Sequence, residues 1–132
     1  MATTSLVKKL RIEPGQRIAI INPPPGYIKE LGDLPDGVEV TDEPGGTVDF
    51  VHLFVKNIAD LERHAPEALA AVKHDGLLWV SYPKRSSKVE TDLTRDKGWD
   101  VITQAGLRPV AQVSIDDVWS ALRFRSADLV GR

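Results

Sequence analysis

Three mostly apolar runs constrain the fold of this chain more than any other feature. They lie at residues 18–21, 48–55 and 77–82, and each is short and rich in branched and aromatic side chains. Strands that are apolar on both faces are typical of a parallel sheet whose two faces are covered by helices. The runs therefore predict an α/β fold built on a mostly parallel sheet.

The segments between these runs have apolar residues at helical spacing. Residues 57–72 place apolar side chains at helical intervals behind Asn57, a residue type that caps helix N-termini. Shorter helices are predicted at residues 27–34 and from residue 93 or 94 to 105, where Gly106 provides a stop. The alternation of strands and helices implies right-handed crossovers within one sheet.

Further strands are predicted at residues 37–41, 107–115 and 118–124, the last two forming an antiparallel hairpin. Only the short segment 42–47 separates the second strand from the central one, whereas parallel neighbours need a crossover of about a dozen residues. Either these strands are not adjacent and parallel, or the second strand lies at the sheet edge beyond the first. Residues 1–132 are predicted to form one domain, with 1–14 as an N-terminal helix or arm.

Composition excludes several classes of protein. The chain has 132 residues, a net charge of −2 and no cysteine, so no global positive field attracts nucleic acid or an anionic membrane surface. A disulfide framework and a thiol nucleophile are excluded as well. The start of the chain does not resemble a signal peptide, and no apolar run approaches the roughly 20 residues of a membrane span. We therefore expect a cytoplasmic protein.

The segment from Leu69 to Pro83 reads as a helix end, an Asp-Gly turn and a buried strand. It resembles the late segment of class I methyltransferases, and an antiparallel last strand on a parallel sheet is typical of the same fold. The resemblance implies a reduced methyltransferase-like Rossmann sandwich, about one strand and one helix short of the full pattern.

A second resemblance spans nearly the whole chain. The sequence is similar to a family of small bacterial proteins whose domain has no assigned function, and this implies a bacterial protein with a methyltransferase-like fold but no particular activity. The matching segments are residues 78–84, 91–94 and 116–122, together with Asn22, Gly26, Tyr27 and residues 51–55.

A cofactor site is one interpretation of the residues behind the first two strands. Asp42 follows Asn22 by 20 residues, the spacing at which Rossmann sites place an acidic group on the ribose hydroxyls. Asn22, Gly26 and Asp42 would then hold an adenosine-type cofactor; the alternative is that Asp42 belongs to a polar turn. The three prolines at 23–25 lack the N–H groups of a glycine-rich loop. We therefore expect no cofactor, with S-adenosylmethionine only under the alternative.

The basic loop that follows the run at 77–82 is the best candidate for a functional surface. Its cations and hydroxyls suit a phosphate or carboxylate, and long loops in compact domains tend to carry function. The alternative is a solvated loop before a capped helix. The predicted anion-binding residues are Lys84, Ser86, Ser87, Lys88 and Thr91.

No catalytic residue or metal ligand emerges from the sequence. His52 alternates with Phe50 and Phe54 on one face of the central strand, which is typical of a core histidine. Asp116 and Asp117 lie together in the hairpin turn, where paired carboxylates usually face solvent.

The functional prediction is a non-catalytic binding or regulatory module for a small anionic ligand or a protein partner, with a homodimer as one option. The alternative is a methyltransferase-like enzyme that uses an adenosine-type cofactor. A third option is a structural partner of another cytosolic protein.

Overall fold

The computed structural model describes residues 6–41, 47–84 and 87–129. The strands of this part are β1 (Arg17–Ile21), β2 (Glu39–Thr41), β3 (Val48–Phe54), β4 (Val72–Pro83), β5 (Leu107–Ser114) and β6 (Trp119–Ser126). The helices are α1 (Leu6–Lys9), α2 (Tyr27–Leu31), α3 (Ile58–Ala71) and α4 (Asp100–Thr103), with a short 3-10 helix at Ala127–Leu129.

All of these strands join one sheet in the order β2-β1-β3-β4-β6-β5. The first four run parallel, and β6 is antiparallel to both β4 and β5. The β2 strand lies at the edge beyond β1, which decides between the two arrangements left open above. The prediction of a mostly parallel sheet with an antiparallel C-terminal strand is confirmed.

The central strand β3 is buried on both faces because helices cover both sides of the sheet. On one face Phe50, His52 and Phe54 pack with α1 and α2. On the other face Val51 and Leu53 pack against α3. The predicted burial of this strand is confirmed, and it gives the domain two core layers that share one sheet.

The helix α3 begins as its sequence predicts. Asn57 has an extended backbone, and its Oδ1 accepts a hydrogen bond of 2.8 Å from the N–H of Asp60. The helix then passes through Pro66 without a break and ends at Ala71. The side chains of Leu61, Ala65 and Ala68 are buried against the sheet.

The helix predicted between residues 93 or 94 and 105 is largely wrong, because only Asp100–Thr103 is helical. The hydroxyls of Thr91 and Thr94 accept hydrogen bonds from the backbone N–H groups of Leu93 and Asp96. These local turns satisfy the backbone in a non-helical form. Gly98, with a φ of 102°, completes the turn before α4.

Two other boundaries differ from the prediction. The β4 strand begins at Val72, before the expected Asp-Gly turn, and its register with β3 shifts between Val48 and Phe50. The α2 helix ends at Leu31, because Gly32 leaves the helical region with a φ of 78°. In the part of the chain that the structure describes, no helix is long and apolar enough to cross a membrane.

Candidate functional site

The sheet changes its winding direction between β1 and β3. The α2 helix, which follows β1, packs on one face of the sheet, while α3, which follows β3, packs on the opposite face. The two chain segments leave the same edge and diverge, so a crevice opens outside the carboxyl ends of the strands. Open α/β sheets bind their ligands at this type of position.

A crevice of about 440 Å³ lies at this position, and we call it the switch-point crevice. Its volume is within the roughly 300–1,000 Å³ of small-molecule sites. Both strand ends and the first two turns of α3 contribute to it. The lining residues are Asn22, Lys56, Asn57, Ala59, Asp60, Arg63 and His64.

The charges of this crevice favour an anionic group. The Asp60 carboxylate already accepts a 3.0 Å hydrogen bond from the backbone N–H of Lys56 and lies 3.5 Å from Nε2 of His64. The Lys56 and Arg63 side chains are exposed at the crevice. The two cations, Lys56 and Arg63, and the one carboxylate of Asp60 leave one positive charge in excess.

The loop between β1 and α2 is tied to the central strand. Asn22 has a φ of 60°, in the left-handed region that asparagine tolerates better than most residues. Its Nδ2 donates a 3.1 Å hydrogen bond to the carbonyl of Phe54. Asn22 thus lines the crevice, as the cofactor hypothesis requires, and also fixes the width of its β1–β3 edge.

The proline loop itself has few groups to offer a ligand. The N–H of Tyr27 is engaged by the carbonyl of Pro24 at 3.2 Å, and the prolines have no N–H. Gly26 has a φ of 85°, and a Cβ placed on it would meet nothing within 4 Å. Gly26 therefore faces open space at the end of the loop. Asp42, the third residue of the predicted cofactor site, lies outside the described residues.

A second, larger crevice of about 840 Å³ lies beside the first, and we call it the loop crevice. It is lined by Asn57 and by residues of the loop that follows β4: Val89, Glu90, Thr91, Asp92, Leu93, Thr94 and Lys97. The Asp92 carboxylate accepts a 2.8 Å hydrogen bond from the N–H of Ile58. This bond holds the loop against the start of α3, and Asn57 is shared by both crevices.

The predicted anion-binding residues point in different directions. The Nζ of Lys84 donates to Oγ of Ser114 at 2.6 Å, and the hydroxyl of Ser87 donates to the carbonyl of Lys84 at 2.7 Å. Thr91 lines the loop crevice, while Lys88 is exposed. Ser86 lies outside the described residues. The anion-binding role of this set stays a prediction.

A buried polar chain was not visible in the sequence. Oη of Tyr27 lies 2.8 Å from Nδ1 of His52, and Nε2 of the same ring lies 2.6 Å from Oγ of Ser81. Burial lowers the pKa of His52 to about 3, so the ring is neutral near pH 7. The predicted core position of His52 is confirmed. Its partners depend on strand register and on the placement of α2, for which the sequence carries no signal.

Known proteins resemble this chain in structure and not in sequence. No family model and no curated protein matches the sequence. Solved structures match over most of the chain. A type 11 methyltransferase structure from Sulfolobus solfataricus, so named in its description, is 13% identical, covers 96% of this chain and 92% of its own, and gives a TM-score of 0.59.

Two further structures agree. The ribosomal protein L11 methylase of Lactobacillus delbrueckii is 11% identical, with 91% of this chain and 74% of its own covered and a TM-score of 0.59. A SAM-dependent methyltransferase from Aquifex aeolicus is 16% identical, with 90% and 86% covered and a TM-score of 0.55. At these identities the likeness establishes the fold. The chain has the methyltransferase-like Rossmann fold that its sequence predicts.

The same comparisons correct the functional prediction. These three structures are named as methyltransferases or methylases, which favours the enzyme alternative. The prediction of a non-catalytic binding or regulatory module is therefore wrong as the first interpretation of this chain. That prediction relied too strongly on the absence of a glycine-rich loop after the first strand.

Proposed function

We propose that this protein is an enzyme of the methyltransferase type that binds S-adenosylmethionine in the switch-point crevice. The observation that carries the proposal is the position of that crevice. It opens between β1 and β3, where the winding of a methyltransferase-type sheet reverses, and cationic side chains line it. The proposal places the enzyme in the cytoplasm, in keeping with the absence of cysteine.

The residues present fit one end of such a cofactor. S-adenosylmethionine has no phosphate, so a loop without N–H donors is less of an obstacle than it would be for a dinucleotide. The carboxylate of the amino-acid end matches Lys56 and Arg63, which contribute the positive charge of the crevice. Asp42, from the sequence hypothesis, would accept hydrogen bonds from the ribose hydroxyls.

Bound S-adenosylmethionine supplies an electrophilic methyl group on its sulfonium sulfur. The neighbouring loop crevice offers a place for the methyl acceptor, because it meets the switch-point crevice at Asn57. Asp92 holds the wall of that crevice against α3 through its bond to Ile58. An acceptor in the loop crevice would approach the cofactor from the side of the β3 and β4 strand ends.

Isothermal titration calorimetry with S-adenosylmethionine and S-adenosylhomocysteine tests the proposal. We expect saturable binding of both, and the double substitution Lys56→Ala and Arg63→Ala should weaken it by on the order of tenfold or more, about 1.4 kcal/mol. Asp42→Ala should also weaken binding.

A matched control is Lys29→Ala, which removes a cation from the exposed side of α2 and should leave affinity unchanged. Absence of binding at millimolar ligand would refute the proposal. Equal losses in the double variant and in Lys29→Ala would show that general charge, and not the crevice, attracts the cofactor.

A further inference from the structure

Two lysines from distant parts of the chain converge on Ser114. Nζ of Lys84 donates to the hydroxyl of Ser114 at 2.6 Å, and Nζ of Lys9 donates to the carbonyl of the same residue at 3.4 Å. Lys9 ends α1, Lys84 follows β4, and Ser114 ends β5. The fold thus brings two ammonium groups to one residue at the carboxyl edge of the sheet, on the side covered by α1.

The backbone of Lys84 is fixed from both sides. Its N–H donates to the carbonyl of Val118 at 2.7 Å. Its carbonyl accepts hydrogen bonds from the N–H of Ser87 at 3.0 Å and from the hydroxyl of Ser87 at 2.7 Å. A side chain that leaves so constrained a backbone loses less entropy when it binds a ligand than one on a free loop.

The carboxylate of Asp116, two residues after Ser114, binds backbone N–H groups of the hairpin. Oδ1 of Asp116 accepts hydrogen bonds of 2.8 Å from the N–H groups of both Val118 and Trp119. Within residues 6–41, 47–84 and 87–129, the ion pairs are Asp60 with His64 and Asp49 with Lys73, so neither Lys9 nor Lys84 takes part in one. Two like charges close together repel each other, and a bound anion would remove that repulsion.

We propose that Lys9, Lys84 and Ser114 form a binding site for the oxyanion group of a small molecule, a phosphate or a carboxylate. The two ammonium groups supply charge-assisted hydrogen bonds. The Ser114 hydroxyl, now 3.4 Å from the carbonyl of Asp116, adds a donor when it turns to the anion. This site shares Lys84 with the loop set predicted from the sequence, but its other members, Lys9 and Ser114, come from α1 and β5. It is independent of the proposed cofactor crevice.

Nuclear magnetic resonance titration with inorganic phosphate tests this site, with sodium chloride adjusted to hold ionic strength constant. We expect saturable shifts of the backbone amide signals of Lys9, Lys84 and Ser114. A parallel titration with acetate shows whether a carboxylate is accepted as well as a phosphate. The double substitution Lys9→Ala and Lys84→Ala should raise the dissociation constant by on the order of tenfold or more.

The matched control removes two exposed cations elsewhere, Lys29→Ala with Arg95→Ala, and should keep the affinity. Ser114→Ala, which leaves both charges in place, should weaken binding to a smaller extent. If the control pair weakens binding as much as the Lys9 and Lys84 pair, or if the shifts rise linearly without saturation, the site does not exist. Retained affinity in the Lys9 and Lys84 variant would also overturn it.

Discussion

Nε2 of His52 lies 2.6 Å from the hydroxyl oxygen of Ser81, and both side chains are fully buried. The bond joins neighbouring strands β3 and β4. Ser81 is the last β4 residue in their pairing register, opposite Phe54, and His52 lies two residues before Phe54. Tyr27 of α2 occupies the other ring nitrogen. A neutral imidazole has one donor and one acceptor nitrogen, so this arrangement satisfies the ring completely.

Ser81→Ala should destabilise the protein by about 1–3 kcal/mol. The substitution leaves one nitrogen of His52 buried without its partner, and the cost of an unsatisfied buried polar group is of that size. Urea unfolding followed by circular dichroism measures the change. Ser120→Ala, at a nearly buried serine of β6, is a comparison that leaves His52 untouched. A Ser81→Ala protein as stable as the parent would contradict the importance of this bond.

Stability should fall as the pH drops from about 7 to 5. Burial lowers the pKa of His52 from 6.5 to about 3. Between these two values the unfolded chain binds a proton that the folded protein does not, so stability is greatest above the unfolded pKa and declines below it. The slope from one such group approaches roughly 1.4 kcal/mol per pH unit.

The His52→Gln variant isolates this effect. The variant is less stable throughout, but the difference between the two proteins should shrink as the pH falls from 7 to 5. A hydrogen bond from the backbone N–H of Arg17 lowers the pKa of Asp49 below 3.8, and a smaller effect of the Lys73 side chain adds to it. The Asp49 carboxyl therefore changes the stability only at lower pH. A constant difference across this range would mean that folding does not lower the pKa of His52.

Much of the sheet could be predicted because its strands are short and apolar on both faces. Residues 18–21 and 48–55 have the length and the branched or aromatic composition of buried parallel strands. The non-helical structure at residues 93–99 could not be predicted, because Thr91 and Thr94 look like N-caps in the sequence. In the structure their hydroxyls accept from amides two residues ahead and close turns instead.

Little of the candidate site could be predicted from the sequence, because its residues are distant in the chain and come together only in the folded protein. Arg63 is an ordinary surface residue in the sequence, and only the reversal between β1 and β3 brings Asn22 into the same crevice. The convergence of Lys9 on Ser114 spans 105 residues and has no local pattern. The three prolines at 23–25 are visible in the sequence, but a ligand without a phosphate needs fewer backbone N–H donors from such a loop than a dinucleotide does.

Asp92→Ala should cost about 0.5–2 kcal/mol, the usual range for loss of a helix cap. The Asp92 carboxylate accepts a 2.8 Å hydrogen bond from the N–H of Ile58, the first residue of α3. Asp92 lies in a loop 34 residues further along the chain. Thermal unfolding measures the stability loss. Glu90→Ala, in the same loop and exposed, should have little effect, and comparable losses in both variants would assign the effect to loop charge instead.

Asp92→Ala should also loosen the loop crevice. The bond to Ile58 is a hydrogen bond that ties this stretch of loop to α3, so amide hydrogen exchange in residues 89–94 should accelerate in the variant. Unchanged exchange together with reduced stability would mean that Asp92 only caps the helix.

Gly98→Ala should be more damaging than Gly32→Ala, although both glycines have a positive φ. At Gly32, with a φ of 78°, an added Cβ meets nothing within 4 Å, so the cost is backbone strain of about 1 kcal/mol. At Gly98 the same atom would lie 2.6 Å from Cδ2 of Leu93 and 2.9 Å from Cγ1 of Ile58. Overpacking adds roughly 1–3 kcal/mol to the strain.

Urea unfolding of both variants measures the difference, and a double-mutant cycle identifies its cause. Leu93→Val removes the Cδ2 atom that the new methyl group would strike, so Gly98→Ala should cost less in a Leu93→Val background than in the parent. Leu93 is fully buried beside the start of α3, so its own truncation must be measured separately. If the two changes are simply additive, or if Gly98→Ala costs no more than Gly32→Ala, the close packing of this turn against α3 is refuted.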